Sequence, residues 1–387
     1  MNADFHYYAT YCAAVIAGFT HEEAETIAYA DNFVDVCTRS LLSHIGGPGE
    51  AATTQLSLEM MDARTDVIGL QDITRIWASF HFLPKDLYAK PNKRCSKKYL
   101  NKYRLICGPD SELVEQTVET AKDETLQAVG LAMHVVSDTW AHQNFAGTPS
   151  MVINDVLEDY IFEMEPDGDG YKDIKPTFRH SASAPDDLEK HLYTRSLGTG
   201  SEKNIMNLGH GRMGHFPDLS FLRYRYVPAW GNYEEIVKDN PSDFKNAFCQ
   251  MITALKYLHG NKESFKRGEY DYDAIADIDD EIEKILRKRQ ADAGDDWCAL
   301  GEKLSGKRPE PFDENKYVDE YMEAAKEGKD DTFLGKFIVA ALKHKSMVTA
   351  QIFRSGNKLA GRSVDSSKHG IGGMKAYKKI TRKEEKA

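Results

Sequence analysis

Residues 126–142 read LQAVGLAMHVVSDTWAH and set His134, Asp138 and His142 at successive spacings of four. Residues four apart in an α-helix lie nearly above one another, so the three side chains form one ladder. Leu126, Val129, Met133, Val136 and Trp140 make an apolar seam on the opposite face. Between the two faces stand mostly Ala, Gly, Leu and Val, with no charge other than Asp138. A helix apolar nearly all round is buried, so the rest of the fold has to surround it. A buried, unpaired carboxylate is very costly; Asp138 therefore needs a cation, and two flanking imidazoles make a metal ion the expected one.

The chain has 387 residues, enough for one large domain with an appendage or for two ordinary domains. Its 41% hydrophobic and 29% charged residues are those of a soluble globular protein, with no apolar run of membrane-spanning length. The N-terminal MNADFHYYATYC lacks a basic n-region followed by an apolar h-region. The expectation is a protein cytoplasmic as synthesised, or one exported as an effector by a route that ignores such signals. A net charge of −11 disfavours extended contact with a nucleic-acid backbone, yet is compatible with gripping one or two phosphates through metal ions. From Lys368 to Ala387 seven Lys/Arg face two Glu in a Gly-rich stretch, which reads as a flexible basic tail. Among six scattered cysteines, Cys12, Cys37 and Cys249 are expected as buried thiols, whereas Cys95 and Cys107 flank a basic loop and could pair in an oxidising compartment.

The pattern elsewhere is helical. Thr20 with Glu23 forms a capping box opening a helix to about Thr38, and 66–80 is a second helix. Asp110 caps a long helix to about Phe145, and another covers Ser150–Met164. Asn240-Pro241 and Gly260 bracket one more, and 271–290, 313–328 and 330–355 add three with the charge of surface helices. No βαβ alternation or alternating β-branched run appears, so the expected fold is all-α. The expected division is a metal-binding domain over 1–265, a charged helical extension over 266–365 and the tail over 366–387. A loop at 196–233 is too long for a connector and is expected to be functional.

Further chemistry-bearing residues are His6 in Asp4-Phe5-His6, the pair Asp31 and Asp35 on one face of the 20–38 helix, and His81 after Trp77. A glycine-rich loop adds His210, Arg212, His215 and Asp218. His21, His44, His180, His191, His259, His344 and His369 stand beside polar neighbours and are read as surface residues. The run Asp167-Gly-Asp169-Gly-Tyr171-Lys-Asp173 starts like a calcium loop but lacks the glycine at position six and the glutamate at twelve, so a hydrophilic turn is expected. Tyr224, Tyr226, Trp230 and Tyr233 suit either a pocket wall or core packing.

An N-terminal His, a helical Asp, a His before an aromatic, His134-x-x-x-Asp138 with a later His, and a final His with a carboxylate follow one another in an order that resembles a known superfamily. It is the all-α zinc-dependent phospholipase C family with the single-strand-specific nucleases, whose helical bundles hold a three-zinc cluster that hydrolyses phosphodiesters. The resemblance covers roughly residues 4–220. It implies a phospholipase C/nuclease-like multi-helix bundle and two or three zinc ions held by His6, Asp35, His81, His134, Asp138, His142 and His210. Asp218, or alternatively His215, would complete the set. It further implies Asp35 orienting or deprotonating the attacking water, with Arg212 assisting phosphate charge. The implied substrate is a phospholipid head group or a nucleotide, with peripheral membrane contact accompanying the first. The contrasting reading is a non-catalytic, metal-stabilised helical module.

Three features depart from that pattern. The secreted enzymes bind zinc through the amine and carbonyl of an N-terminal Trp, whereas this chain begins Met1-Asn2-Ala3, which makes Asp4 the expected substitute. The later His stands four residues after Asp138 rather than six. The final pair, His210 and Asp218, lies in a glycine-rich loop rather than one helical turn apart.

Overall fold

A computed structural model of the chain describes residues 1–361, apart from 66, 93, 181–184 and 197–203. The basic tail at 366–387, and with it His369, lies outside the described residues. The helix Leu126–Ala141 is the axis of the fold, and Gln127–Ala141 is buried without a break. Thr125 starts it: the Thr125 hydroxyl accepts the Ala128 N–H, after Asp123 has turned the chain at φ +58°. Around this axis pack His21–Phe33, Asn240–His259, Phe333–Arg354 and Glu112–Ala121. Leu131, Met133, Val135, Val136 and Trp140 enter that core, each contributing roughly 1.5–3 kcal/mol on burial.

Local signals account for the ends of these helices. Thr20 and Glu23 close the capping box reciprocally, Thr20 N–H donating to the Glu23 carboxylate (2.9 Å) and Glu23 N–H to Thr20 Oγ1 (3.3 Å). Gly260, at φ +93°, ends Asn240–His259 in the left-handed conformation that glycine adopts without steric cost. The expected helix from Asp110 to Phe145 is instead two, Glu112–Ala121 and Leu126–Ala141, broken at Asp123. Ser111, not Asp110, caps the first, its Oγ accepting the Val114 N–H at 3.0 Å.

The all-α expectation is corrected by strands between the helices. β1 (Phe162–Asp167), β2 (Gly170–Ile174), β5 (Arg223–Tyr226) and β6 (Ile236–Asp239) form an antiparallel sheet in the order β2-β1-β5-β6. β3 (Thr177–Arg179) and β4 (Leu192–Thr194) form a separate parallel pair. The helix expected over Ser150–Met164 is therefore confined to Met151–Asn154, and its second half is β1. The Asp167–Asp173 run is a hairpin turn, Asp167 pairing with Gly170 while Gly168 takes φ +58°. On β5, Tyr224 and Tyr226 face inward on Phe216 and Phe145, so both are core residues.

Residues 266–361 join the same hydrophobic core as the N-terminal segment. Trp297 packs edge-on against Phe5 (5.9 Å) and beside Phe248 (5.3 Å), and Phe337 meets Phe33. All six cysteines are free thiols, so Cys95 and Cys107 are not paired. Among the described residues no helix is long and apolar enough to cross a membrane.

Candidate metal centre

The ladder is buried as its pattern requires: His134, Asp138 and His142 are all enclosed, with His142 forming the C-cap of the central helix. Gly130, one turn earlier, lets the helix His21–Phe33 come close. A Cβ there would lie 2.2 Å from Ile27 O and 2.9 Å from Asp31 N. That contact delivers Asp31 to His134. His6 arrives from the other side on a π-helical turn, Asp4–Ala9, a rare geometry that favours functional sites. His81 follows directly on Val67–Phe80, and Gly209, at φ +54° with Phe82 where a Cβ would be, sets His210 beside His142.

Each of the five imidazoles has one ring nitrogen beside an acceptor that carries no hydrogen, so that nitrogen is the donor. His6 Nδ1–H and His134 Nδ1–H both donate to Asp31 Oδ1, at 2.8 and 3.2 Å. His81 Nε2–H donates to Thr53 O (3.0 Å), His142 Nδ1–H to His81 O (2.7 Å) and His210 Nδ1–H to Gly214 O (2.9 Å). In neutral rings the second nitrogens are then lone pairs, and they face carboxylates. His6 Nε2 stands 3.2 Å from Asp138 Oδ1 and has no hydrogen-bond partner. His81 Nδ1 and His134 Nε2 stand 3.2 Å from Asp138 Oδ2 and 3.2 Å from each other. His142 Nε2 stands 3.1 Å and His210 Nε2 3.6 Å from the Asp218 carboxylate. Lone pairs facing lone pairs in a buried space repel unless cations or protons lie between them. A metal ion answers that demand, and an outer acceptor on the second ring nitrogen is the usual setting of a metal-bound histidine.

The cluster has two lobes that meet at Asp138. Asp35, His81 and His134 bring one ligand atom each within 4.8 Å of one another, and His142, His210 and Asp218 do the same. His6 joins the first lobe through Nε2. The Met1 α-ammonium lies in the second, 2.6 Å from Asp138 Oδ1, 3.4 Å from Asp218 Oδ1 and 3.3 Å from His142 Nε2. Burial opposes its charge, but Asp138, Asp218 and Asp35 outweigh burial and raise its pKa to about 11. By the same balance His134 is raised to about 10, burial being overcome by Asp138 and Asp35. Asp138 is held well below the carboxylate range: burial is outweighed by His142, the Met1 ammonium and His134. His210, by contrast, is pushed down to about 4 by burial. The basin thus attracts positive charge strongly.

Seven of the expected ligands (His6, Asp35, His81, His134, Asp138, His142 and His210) converge, and Asp218 completes them. Three expected residues do not. The Asp4 carboxylate accepts the backbone N–H groups of Phe5 and Ala293, both at 2.8 Å, because it starts the first helical turn and pins residue 293 to it. His215 is turned outward, 56% exposed, with Nδ1 2.8 Å from Asp186 Oδ2. Arg212 is buried away from the cluster, its Nε donating to Asp155 (3.1 Å) and an Nη to Ser196 O (3.1 Å). Asp31, passed over as a ligand, is fully buried and holds two imidazoles, with Oδ2 accepting from Thr10 Oγ1 at 2.6 Å. Its signal was the four-residue spacing to Asp35 on an otherwise apolar face. His344 is also corrected: it is buried, with Nε2–H donating to Ser79 O.

No curated protein and no solved structure matches the chain. One family model matches residues 1–352, a span that takes in every residue of the centre. The chain therefore belongs to DUF6765, a family of unknown function.

Proposed function

We propose that the centre is a multinuclear zinc site that hydrolyses phosphodiesters, in keeping with the motif order shared with the zinc-dependent phospholipases C and single-strand nucleases. One observation carries the reading: four buried imidazoles and the half-buried His210 turn their second ring nitrogens toward three carboxylates, and His6 Nε2 is left without a partner. An imidazole and carboxylate donor set inside a helical bundle suits zinc. His6, Asp35, His81 and His134 would hold metal in one lobe, His142, His210 and Asp218 in the other, with Asp138 serving both. Bound zinc supplies a water of lowered pKa and neutralises phosphate oxygens.

The chain's own groups do the rest. The Asp35 carboxylate is 41% exposed while the cluster around it is buried, so it marks the open side, where a catalytic centre differs from a closed structural one. Its Oδ1 stands 3.6 Å from His81 Nδ1 and 3.9 Å from His134 Nε2, close enough to the ligand atoms to take the proton of the attacking water. Asp31 holds His6 and His134 in register. Trp77 against His81 and Phe82 against His142 shield the ligands from water.

The test is turnover of phosphatidylcholine, single-stranded DNA, RNA and a soluble chromogenic diester by the zinc-loaded protein. Asp138→Asn and the more exposed Asp35→Asn are expected to lower turnover at least a hundredfold on whichever substrate is cleaved. Equal turnover by wild type and both variants would remove the catalytic assignment.

A further inference from the structure

The charge of this acidic chain is not spread evenly. Between Lys85 and Arg104 eight Lys/Arg stand against the single Asp86, a net of +7 in a chain of net −11. Lys97 and Lys98 are exposed on the short helix Lys97–Tyr103. Beside this segment lies an aliphatic surface: Leu58 is 74%, Val67 69% and Ile68 72% exposed, and Leu56 and Met61 are exposed with them. Leu58 and Met61 lie one turn apart on the helix Ser57–Ala63, which packs against the helix that Val67 and Ile68 open, so these exposed aliphatic side chains come from two adjoining helices, where a group of them marks a contact surface. A cavity of about 300 Å³ joins the two regions, with Val67, Leu70, Lys98, Lys102 and Leu359 in its wall.

The same structure reaches the metal centre. Leu70, Ile73 and Met60 pack on Ile205, Met206 and Leu208, which lead directly into Gly209 and His210. The helix Val67–Phe80 carries Val67 and Ile68 at one end and runs into His81 at the other, about 20 Å away at 1.5 Å per residue.

We propose that exposed Leu56, Leu58, Met61, Val67 and Ile68, together with exposed Lys85, Lys90, Arg94, Lys97 and Lys98, dock the protein on an anionic phospholipid surface, the aliphatic side chains entering the acyl boundary and the basic ones meeting the head groups. Charge complementarity and apolar insertion occur side by side here, the combination that holds peripheral proteins on membranes. Exposed Tyr88 suits the head-group level. A polynucleotide would use the lysines, but aliphatic side chains offer its bases nothing to stack on. Docking is independent of hydrolysis and concerns only where the protein sits.

The experiment is co-sedimentation of the full chain, with chelator present, against vesicles of phosphatidylcholine alone or mixed with phosphatidylserine. Wild type should partition onto the mixed vesicles and only weakly onto the neutral ones. One basic residue near an anionic surface is worth roughly fivefold. Lys97→Glu with Lys98→Glu should therefore lower partition more than tenfold. Leu58→Ser with Ile68→Ser, both at exposed positions, should also lower it at least tenfold, since fully burying such a side chain is worth roughly tenfold or more. Circular dichroism of each variant checks the fold. Equal partition onto both vesicle types overturns the proposal, as does undiminished binding by either double variant. So does binding of single-stranded DNA that Lys97→Glu/Lys98→Glu abolishes while vesicles are ignored. Docking is read on the metal-free protein and hydrolysis of a soluble diester on the zinc-loaded protein, so the two readings fail separately.

Discussion

Gly130→Ala is the smallest change that should reach both the fold and the centre. The added methyl would sit 2.2 Å from Ile27 O and 2.7 Å from the Ala30 Cβ, where ordinary contact begins at 3.4 Å. The obstructing atoms are backbone and a Cβ, with no side-chain rotation available to relieve them. The two helices must therefore part by about 1.2 Å, the gap between those two distances. Overpacking of this kind costs roughly 1–3 kcal/mol or more, set against about 1 kcal/mol gained from the better helix propensity of alanine. With backbone atoms as the obstruction the upper part of that range applies, and the net expectation is a loss of up to about 2 kcal/mol. Parting the helices also stretches the His134–Asp31 hydrogen bond, now 3.2 Å, beyond hydrogen-bonding range. Loss of an outer partner of this type costs roughly 10- to 100-fold in metal affinity. Denaturant unfolding of the metal-free protein and a competition titration for zinc measure the two effects. Unchanged stability together with unchanged affinity would refute the argument that this helix crossing builds the site.

Other expectations follow from single contacts. Asp31→Asn keeps the shape but replaces an acceptor of two imidazole N–H groups with a half-donor, so zinc affinity should fall roughly 10- to 100-fold in a chelator competition. Asp4→Ala and His215→Ala, both outside the cluster, should leave zinc stoichiometry unchanged by elemental analysis, while Asp4→Ala lowers unfolding stability by about 1 kcal/mol through two lost N–H acceptors. His344 is held down to about 4 by burial, so the folded form stays neutral while the unfolded chain takes a proton near 6.5. Its contribution is thus present above pH 6.5 and lost as pH falls toward 4, by up to about 3 kcal/mol. His344→Phe should lack that component, so its deficit relative to wild type at pH 7 should shrink or reverse near pH 4.5 in metal-free denaturant titrations; an unchanged gap would contradict the buried neutral imidazole.

The centre was legible where chemistry leaves a periodic trace. A carboxylate on an apolar helix announced itself, and the order of His6, Asp35, His81, His134, Asp138, His142 and His210 located most of the basin. Asp31 was hidden because a ligand and a residue that orients a ligand look alike in sequence; only the direction of His6 Nδ1 and His134 Nδ1 separates them. Asp4 was expected to replace the terminal ligand of the related enzymes, but its carboxylate is taken up by the backbone N–H groups of Phe5 and Ala293. The four-stranded sheet escaped because its strands are four to six residues long, and β2 (GYKDI) has no buried residue from which alternation could be read. The RYRY alternation of β5 was present but too short to stand out. His344 shows the converse error, since flanking lysines suggested exposure while the opposite face of its helix is core.

The most direct measurement is the metal content of purified protein, followed by the fold after chelation. Two or three zinc per chain, with stoichiometry reduced in Asp138→Asn, is the predicted result. No bound metal, with stability unaltered by added zinc, would show that protons alone neutralise the basin and would contradict the account.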